Sequence, residues 1–134
     1  MNIARCGVWP TPKHLIAVLV DENGNAHPPL CVARSDAART TLIHWLADQQ
    51  YQGLVLPDDL ICDPLVEGAI DARLAVWIAP RVLLDGIRTI AGLTRRPAKY
   101  TAALLARWPT APALRAYLRH LQSPRRVPNQ LRLL

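Results

Sequence analysis

The residues with chemistry to offer are mostly arginines, crowded toward one end of the chain. Residues 86–134 hold ten bases (Arg88, Arg95, Arg96, Lys99, Arg107, Arg115, Arg119, Arg125, Arg126 and Arg132) and no acid. Residues 1–85 hold all ten acids against six bases, so the net charge of +6 hides an acidic body followed by a basic third. Fourteen of the sixteen bases are Arg, whose planar fork makes paired hydrogen bonds to phosphate or carboxylate. Such a block points to an anionic partner, nucleic acid first; a solvated Arg-rich surface is the alternative. The candidate contacts are Arg95, Arg96, Lys99, Arg107, Arg115, Arg119, Arg125 and Arg126. Arg115 and Arg119 stand one helical turn apart, where like charges repel mildly unless a ligand neutralises them.

Other chemistry is sparse. His27 and Cys31, with Cys6 and His14 nearby, suggest a metal site, but the strand order expected below puts a whole strand between Cys6 and Cys31. Two strand spacings are about 9–10 Å, beyond disulfide reach, and structural roles are expected for these residues. Cys62 precedes Asp63, an acid that does not activate a thiolate. His44 lies beside Trp45 and His120 among arginines, neither with a Ser or Cys nucleophile at interpretable spacing. There is no Gly-rich phosphate loop. Asp58, Asp59 and Asp21 are the acids a metal-dependent nuclease would have to use. No catalytic residue, metal or cofactor is expected.

Composition narrows the class further. Hydrophobic residues make up 51%, too many for a disordered chain. No apolar run approaches the ~20 residues that cross a bilayer, and no membrane partner is expected. The first residues lack the charged and apolar regions of a signal peptide. The three cysteines are odd in number and not in CxxC spacing. A reducing cytoplasm is the expected setting.

The elements that must position these residues follow from their patterning. Ile3–Trp9 reads as a strand closed by Pro10-Thr11-Pro12. His14–Val20, almost continuously apolar, reads as a central strand buried on both faces. Asn23-Gly24 is a hairpin signal, and Leu30–Ala33 returns as an edge strand behind Pro28-Pro29. Ser35 caps a helix with Ala38, Leu42, Trp45 and Leu46 on one face. A short strand, Gly53–Leu56, is stopped by Pro57. Asp63-Pro64 opens a second helix carrying Leu65, Val66, Ala69 and Ile70, and Leu74–Ile78 is a fifth strand. Pro80 opens a third helix with Leu83, Ile87, Ile90 and Ala91 on one face and Arg81, Asp85 and Arg88 opposite. Pro97–Trp108 and Pro112–Leu121 are two further helices, the latter with Leu114, Tyr117, Leu118 and Leu121 in a stripe. Residues 1–122 form one domain and 123–134 a basic tail. The expected fold is α/β: a five-stranded mixed sheet of ribonuclease H-like order, three antiparallel strands and then alternating helices and strands, with C-terminal helices.

Several stretches also resemble a known family. Gly7-Val8-Trp9, Leu15–Val20 and Asp21-Glu22-Asn23-Gly24 resemble the opening of RuvC-like domains, most closely those of DEDD insertion-sequence transposases. Val76-Trp77-Ile78-Ala79-Pro80-Arg81-Val82 resembles their Val-Val-Asn-Pro element, and Leu93–Trp108 the helix carrying an Asp-x-x-Asp pair. The resemblance implies two divalent ions held by four carboxylates for phosphodiester cleavage. Here the matching positions are Trp9, Leu56 or its neighbourhood, Ala98 and Thr101, and none is an acid.

The expected function is therefore a catalytically inactive, transposase-related domain that binds nucleic acid, DNA ahead of RNA. Trp9 is expected to fill the former cleft or to offer a stacking surface, Trp45 and Trp77 to lie in the core, and Trp108 to anchor a partner. The alternative is a protein-interaction or homodimerisation module using the C-terminal helix and Leu131-Arg132-Leu133-Leu134.

Overall fold

In the computed structural model, which describes residues 4–107, strands β1 (Arg5–Pro10), β2 (His14–Val20), β3 (Leu30–Ala33), β4 (Gly53–Pro57) and β5 (Ala75–Ala79) form one sheet. Its order is β3-β2-β1-β4-β5. The first three strands pair antiparallel, with Trp9 opposite Ile16 and Ile16 opposite Cys31. β4 and β5 run parallel to β1. The five-stranded α/β order expected from the sequence is the one observed. Both halves have physical causes: the Thr11–Lys13 turn is short enough only for antiparallel neighbours, whereas parallel strands need a crossover, here a helix. Thr11 pins that turn, accepting the His14 N–H at 3.0 Å and donating its hydroxyl to the His14 carbonyl at 2.9 Å.

Helices α1 (Asp36–Asp48) and α2 (Pro64–Asp71) share one apolar cluster with alternate residues of the strands, including Cys6, Val8, Leu15, Leu54 and Leu56. Helices α3 (Arg81–Ile90) and α4 (Ala98–Ala106) share the other, with Trp9, Val18 and Val55. This two-sided burial is why the strands are continuously apolar. Ser35 caps α1 through the Ala38 N–H, and Asp63 caps α2 through the Leu65 N–H, as their residue types imply. Asp63 does more than cap. Its carboxylate takes Arg39 Nε at 2.9 Å and Arg34 Nη2 at 3.5 Å, tying α1 to α2.

Three helix faces depart from the sequence expectation. Trp45 is 41% exposed, because Leu42, Ile43 and Leu46 form the buried stripe of α1 and Ile43 shifts its centre away from Trp45. The indole instead lies tilted against Tyr51, ring centroids 5.8 Å apart. Ile70 is exposed, one residue and 100° round the helix from buried Ala69. On α3 the buried residues are Leu83, Leu84 and Ile87, leaving Ile90 exposed.

The link from β2 to β3 is longer than a two-residue hairpin. Asp21 organises it: Oδ1 accepts the N–H groups of Asn23 and Asn25, each at 2.9 Å, and Gly24 takes φ 83°, which suits glycine. The Asp21 carboxyl is held below its ordinary value, chiefly by the hydrogen bond from the Asn25 amide, with Asn23 and His27 adding to it. A lowered native pKa makes the turn's stabilisation complete above the ordinary carboxylate range and lost as pH falls through the native value. On acidification below about pH 4, the Asn23 and Asn25 amide resonances are expected to shift toward disordered positions. NMR titration checks this, and Asp21→Asn, which keeps an uncharged acceptor, is expected to abolish the transition.

Candidate nucleic-acid interface

Two places on the second face of the sheet concern function, and α4 contributes to both. The first is the cleft at the C-terminal ends of β1 and β4. Alternation along β1 sends Val8 to the α1/α2 side and Trp9 to the α3/α4 side. Trp9 is 9% exposed because two guanidinium groups lie over its ring, Arg81 at 4.6 Å and Arg88 at 4.8 Å from the centroid. Such stacking is attractive through the ring quadrupole. Both cations are tethered. Arg81 Nη1 reaches Asp59 Oδ2 at 2.8 Å and its Nε reaches Asp85 Oδ1 at 3.1 Å. Arg88 lies 3.6 Å from the same Asp85 oxygen, and its Nε donates to Thr101 Oγ1 at 3.2 Å. Thr101, at 1% exposure, is a buried hydroxyl with its partner supplied.

The sequence places Arg81, Asp85 and Arg88 on a polar face away from the core. The structure corrects this for the two arginines: their side chains turn over the Trp9 ring, because long aliphatic stems cover apolar surface while the charged heads keep polar company. The signal was present in the spacing, since Asp85 stands four residues after one arginine and three before the other, where both bridge to it.

The donor set here does not suit a hard divalent cation, which needs several convergent oxygens. Trp9 and Ala98 offer none, and the Thr101 hydroxyl already accepts from Arg88. Leu56 packs in the cluster on the opposite face of the sheet from Trp9. Asp59 and Asp85 share the Arg81 guanidinium, but Asp58, Asp59 and Asp21, the acids the sequence offers for a metal, do not converge. Asp58 and Asp59 form a one-turn 3-10 helix after β4, and Asp59 is held by Arg81. Asp21 follows Val20, which pairs with Arg5 at the other end of β1.

The second place is the outer side of α4. Tyr100, Ala103 and Arg107 stand at i, i+3 and i+7, with Lys99 beside them, and together with residues 26–29 they line a groove of about 440 Å³. Lys99 and Arg96 lie 5.4 and 5.6 Å from the Tyr100 ring centroid. Arg107 Nη2 donates to the Gly24 carbonyl at 3.4 Å, which fixes it at the other end of the groove. Among the described residues no carboxylate lines this groove. Of the sequence candidates, then, Lys99 and Arg107 share the groove and Arg96 adjoins it. Arg95 is exposed in the link between α3 and α4. Arg115, Arg119, Arg125 and Arg126 lie outside the described residues, as do Trp108, the C-terminal helix and the tail. Tyr100 escaped the sequence reading, and His27 and Pro28 were read for a metal site and an edge strand, because only sheet pairing brings the β2–β3 link beside α4.

Among the remaining candidates, Cys6 is buried and its thiol is pushed up to about 12 by that burial, whereas Cys31 and Cys62 are exposed. β2 separates Cys6 from Cys31, and His27 faces Asp21 at 3.4 Å. Trp77 is half-buried on the edge strand β5, with Arg5 stacked 4.3 Å from its ring.

No protein-family model matches the sequence, and no curated protein matches it. Solved structures do. Thermus thermophilus RuvC in complex with a Holliday junction substrate superposes with a TM-score of 0.54 at 13% identity, over 91% of this chain and 98% of that one. A second structure of Thermus thermophilus RuvC gives 0.53 at 14% identity, over 90% and 98%. The fold is ribonuclease H-like. At this identity the likeness concerns the backbone. In this ribonuclease H-like chain the end of β1 carries Trp9, covered by two arginines of α3, and α4 turns apolar and hydroxyl side chains inward and cations outward.

Proposed function

We propose that this chain is a catalytically inactive, transposase-related ribonuclease H-like domain that binds nucleic acid, DNA in the first place. The observation that carries the reading is the division of α4. Its inner side presents Ala98 and Thr101 where the resembled family has its Asp-x-x-Asp pair, and its outer side presents Lys99, Tyr100 and Arg107. The fold, whose neighbour is solved in complex with a Holliday junction substrate, here offers cations on the outer side of α4 and no carboxylate along that helix. Arg95 and Arg96, with Arg115, Arg119, Arg125 and Arg126 of the terminal region, extend the cationic surface in this reading. Contacts of this kind hold a backbone without reading sequence. The docking or dimerisation alternative rests on Leu114, Tyr117, Leu118 and Leu121, outside the described residues, and no observation favours it.

Titration of the full chain with labelled duplex DNA at increasing salt tests the reading. Each phosphate contact contributes about −0.9 to the log–log slope, so replacing Arg96, Lys99 and Arg107 by Glu is expected to flatten the slope by about 2–3. DNA is expected to stay intact with Mg²⁺ or Mn²⁺. Absence of binding at low salt, or cleavage abolished by Asp58→Asn, overturns the proposal.

A further inference from the structure

Resting on that reading, we infer that the groove between the β2–β3 link and α4 takes one unpaired nucleotide of single-stranded DNA, its base against Tyr100 and its flanking phosphates on Lys99 and Arg107. The groove's size is the first argument. At about 440 Å³ it has room for one nucleotide, whereas a duplex reaches only the cations at its rim. Its chemistry is the second. Tyr100 is 41% exposed, and bases stack on aromatic faces whatever their identity. Cations accompany that ring: Lys99 and Arg96 lie over it at 5–6 Å from its centroid, and Arg107 stands two helical turns further on. A stacking ring among cations is the combination that single-strand sites use, the ring for the base and the charges for the backbone.

The opposite wall suits the same ligand. Pro28 and Pro29 give it rigid apolar surface, and the adjoining hollow by Ile16 and Leu30 continues it past the start of α4. Apart from His27, whose Nε2 faces Asp21, that wall leaves a ribose 2′-hydroxyl few hydrogen-bonding partners, which favours deoxyribose. Asp21, at the start of the β2–β3 link, is already engaged: it accepts two backbone N–H groups and faces His27. Among the described residues the charged side chains lining the groove are Lys99 and Arg107.

Fluorescence anisotropy of the full chain with a labelled oligo-dT, an abasic oligomer of equal phosphate number, oligo-U and a duplex tests the inference. Oligo-dT is expected to bind about tenfold or more tighter than the abasic strand. Tyr100→Ala is expected to erase that difference, Tyr100→Trp to keep it, and duplex affinity to change less than twofold in both. Near-UV circular dichroism confirms that the variants are folded. If Tyr100→Ala leaves the oligo-dT preference intact, or weakens duplex and single strand alike, the stacking site is overturned while nucleic-acid binding stands. Tighter binding of oligo-U with the same Tyr100 dependence overturns the assignment to DNA. If none of the four probes binds at low salt, both the inference and the function proposed above fall together.

Discussion

Replacing Gly7 by Ala is expected to destabilise the protein by about 3 kcal/mol, toward the upper end of what overpacking costs, and replacing it by Val by more. A Cβ at this position runs into the Ala102 carbonyl and lies 2.6 Å from the Ala106 amide nitrogen. Those are backbone atoms of α4, which no rotamer change moves aside. The helix has to lift off β1, and in lifting it uncovers Val18, Val55 and Leu105, all buried beneath or within it. Urea unfolding of Gly7→Ala against the parent chain measures the effect. A change below about 1 kcal/mol, within the range of ordinary surface substitutions, would show that α4 sits less closely on the sheet than described.

The second large effect is expected at Trp9. Trp9→Ala removes a buried indole and should cost about 3–5 kcal/mol, the usual range for such truncations. Arg81 and Arg88 lose the ring they cover, although their carboxylate partners Asp59 and Asp85 remain. Because the nucleic-acid surface proposed above lies on the outer side of α4, DNA affinity of the folded variant should stay within twofold of the parent. Thermal unfolding and DNA titration of the same sample separate the two effects. A large loss of affinity in folded Trp9→Ala would move the binding surface from the groove to the cleft.

The sheet was readable from the chain because its order follows from connection lengths: a three-residue turn, a longer link and then two helical crossovers leave little choice of topology. The helix caps at Ser35 and Asp63 were readable for the same local reason, since their residue types are specific to that geometry. Burial around helices was less so. Trp45 and Ile70 are as apolar as their buried neighbours, and a rotation of the stripe by one residue leaves the pattern almost unchanged. The cleft was half legible. The sequence showed that Trp9 stands where the resembled family has an acid, but not that Arg81 and Arg88 fold over it, because a polar stripe on an isolated helix looks solvated until the indole beside it is known. The groove was hidden for a different reason. Proline and histidine of one loop and tyrosine of a distant helix have no relation in sequence, and their proximity exists only after the strands have paired.

The seat of α4 on Gly7 also bears on how the chain comes to fold. The helix that closes the second layer rests on the strand that begins the first, so the contact joins nearly the two ends of the described chain. During synthesis the hairpin of β1 and β2 emerges early, yet one side of it stays uncovered until α4 has left the ribosome. Topologies dominated by such distant contacts assemble slowly, and until α4 seats, the part of this face that α3 does not reach, at Gly7 and Val18, lacks its cover.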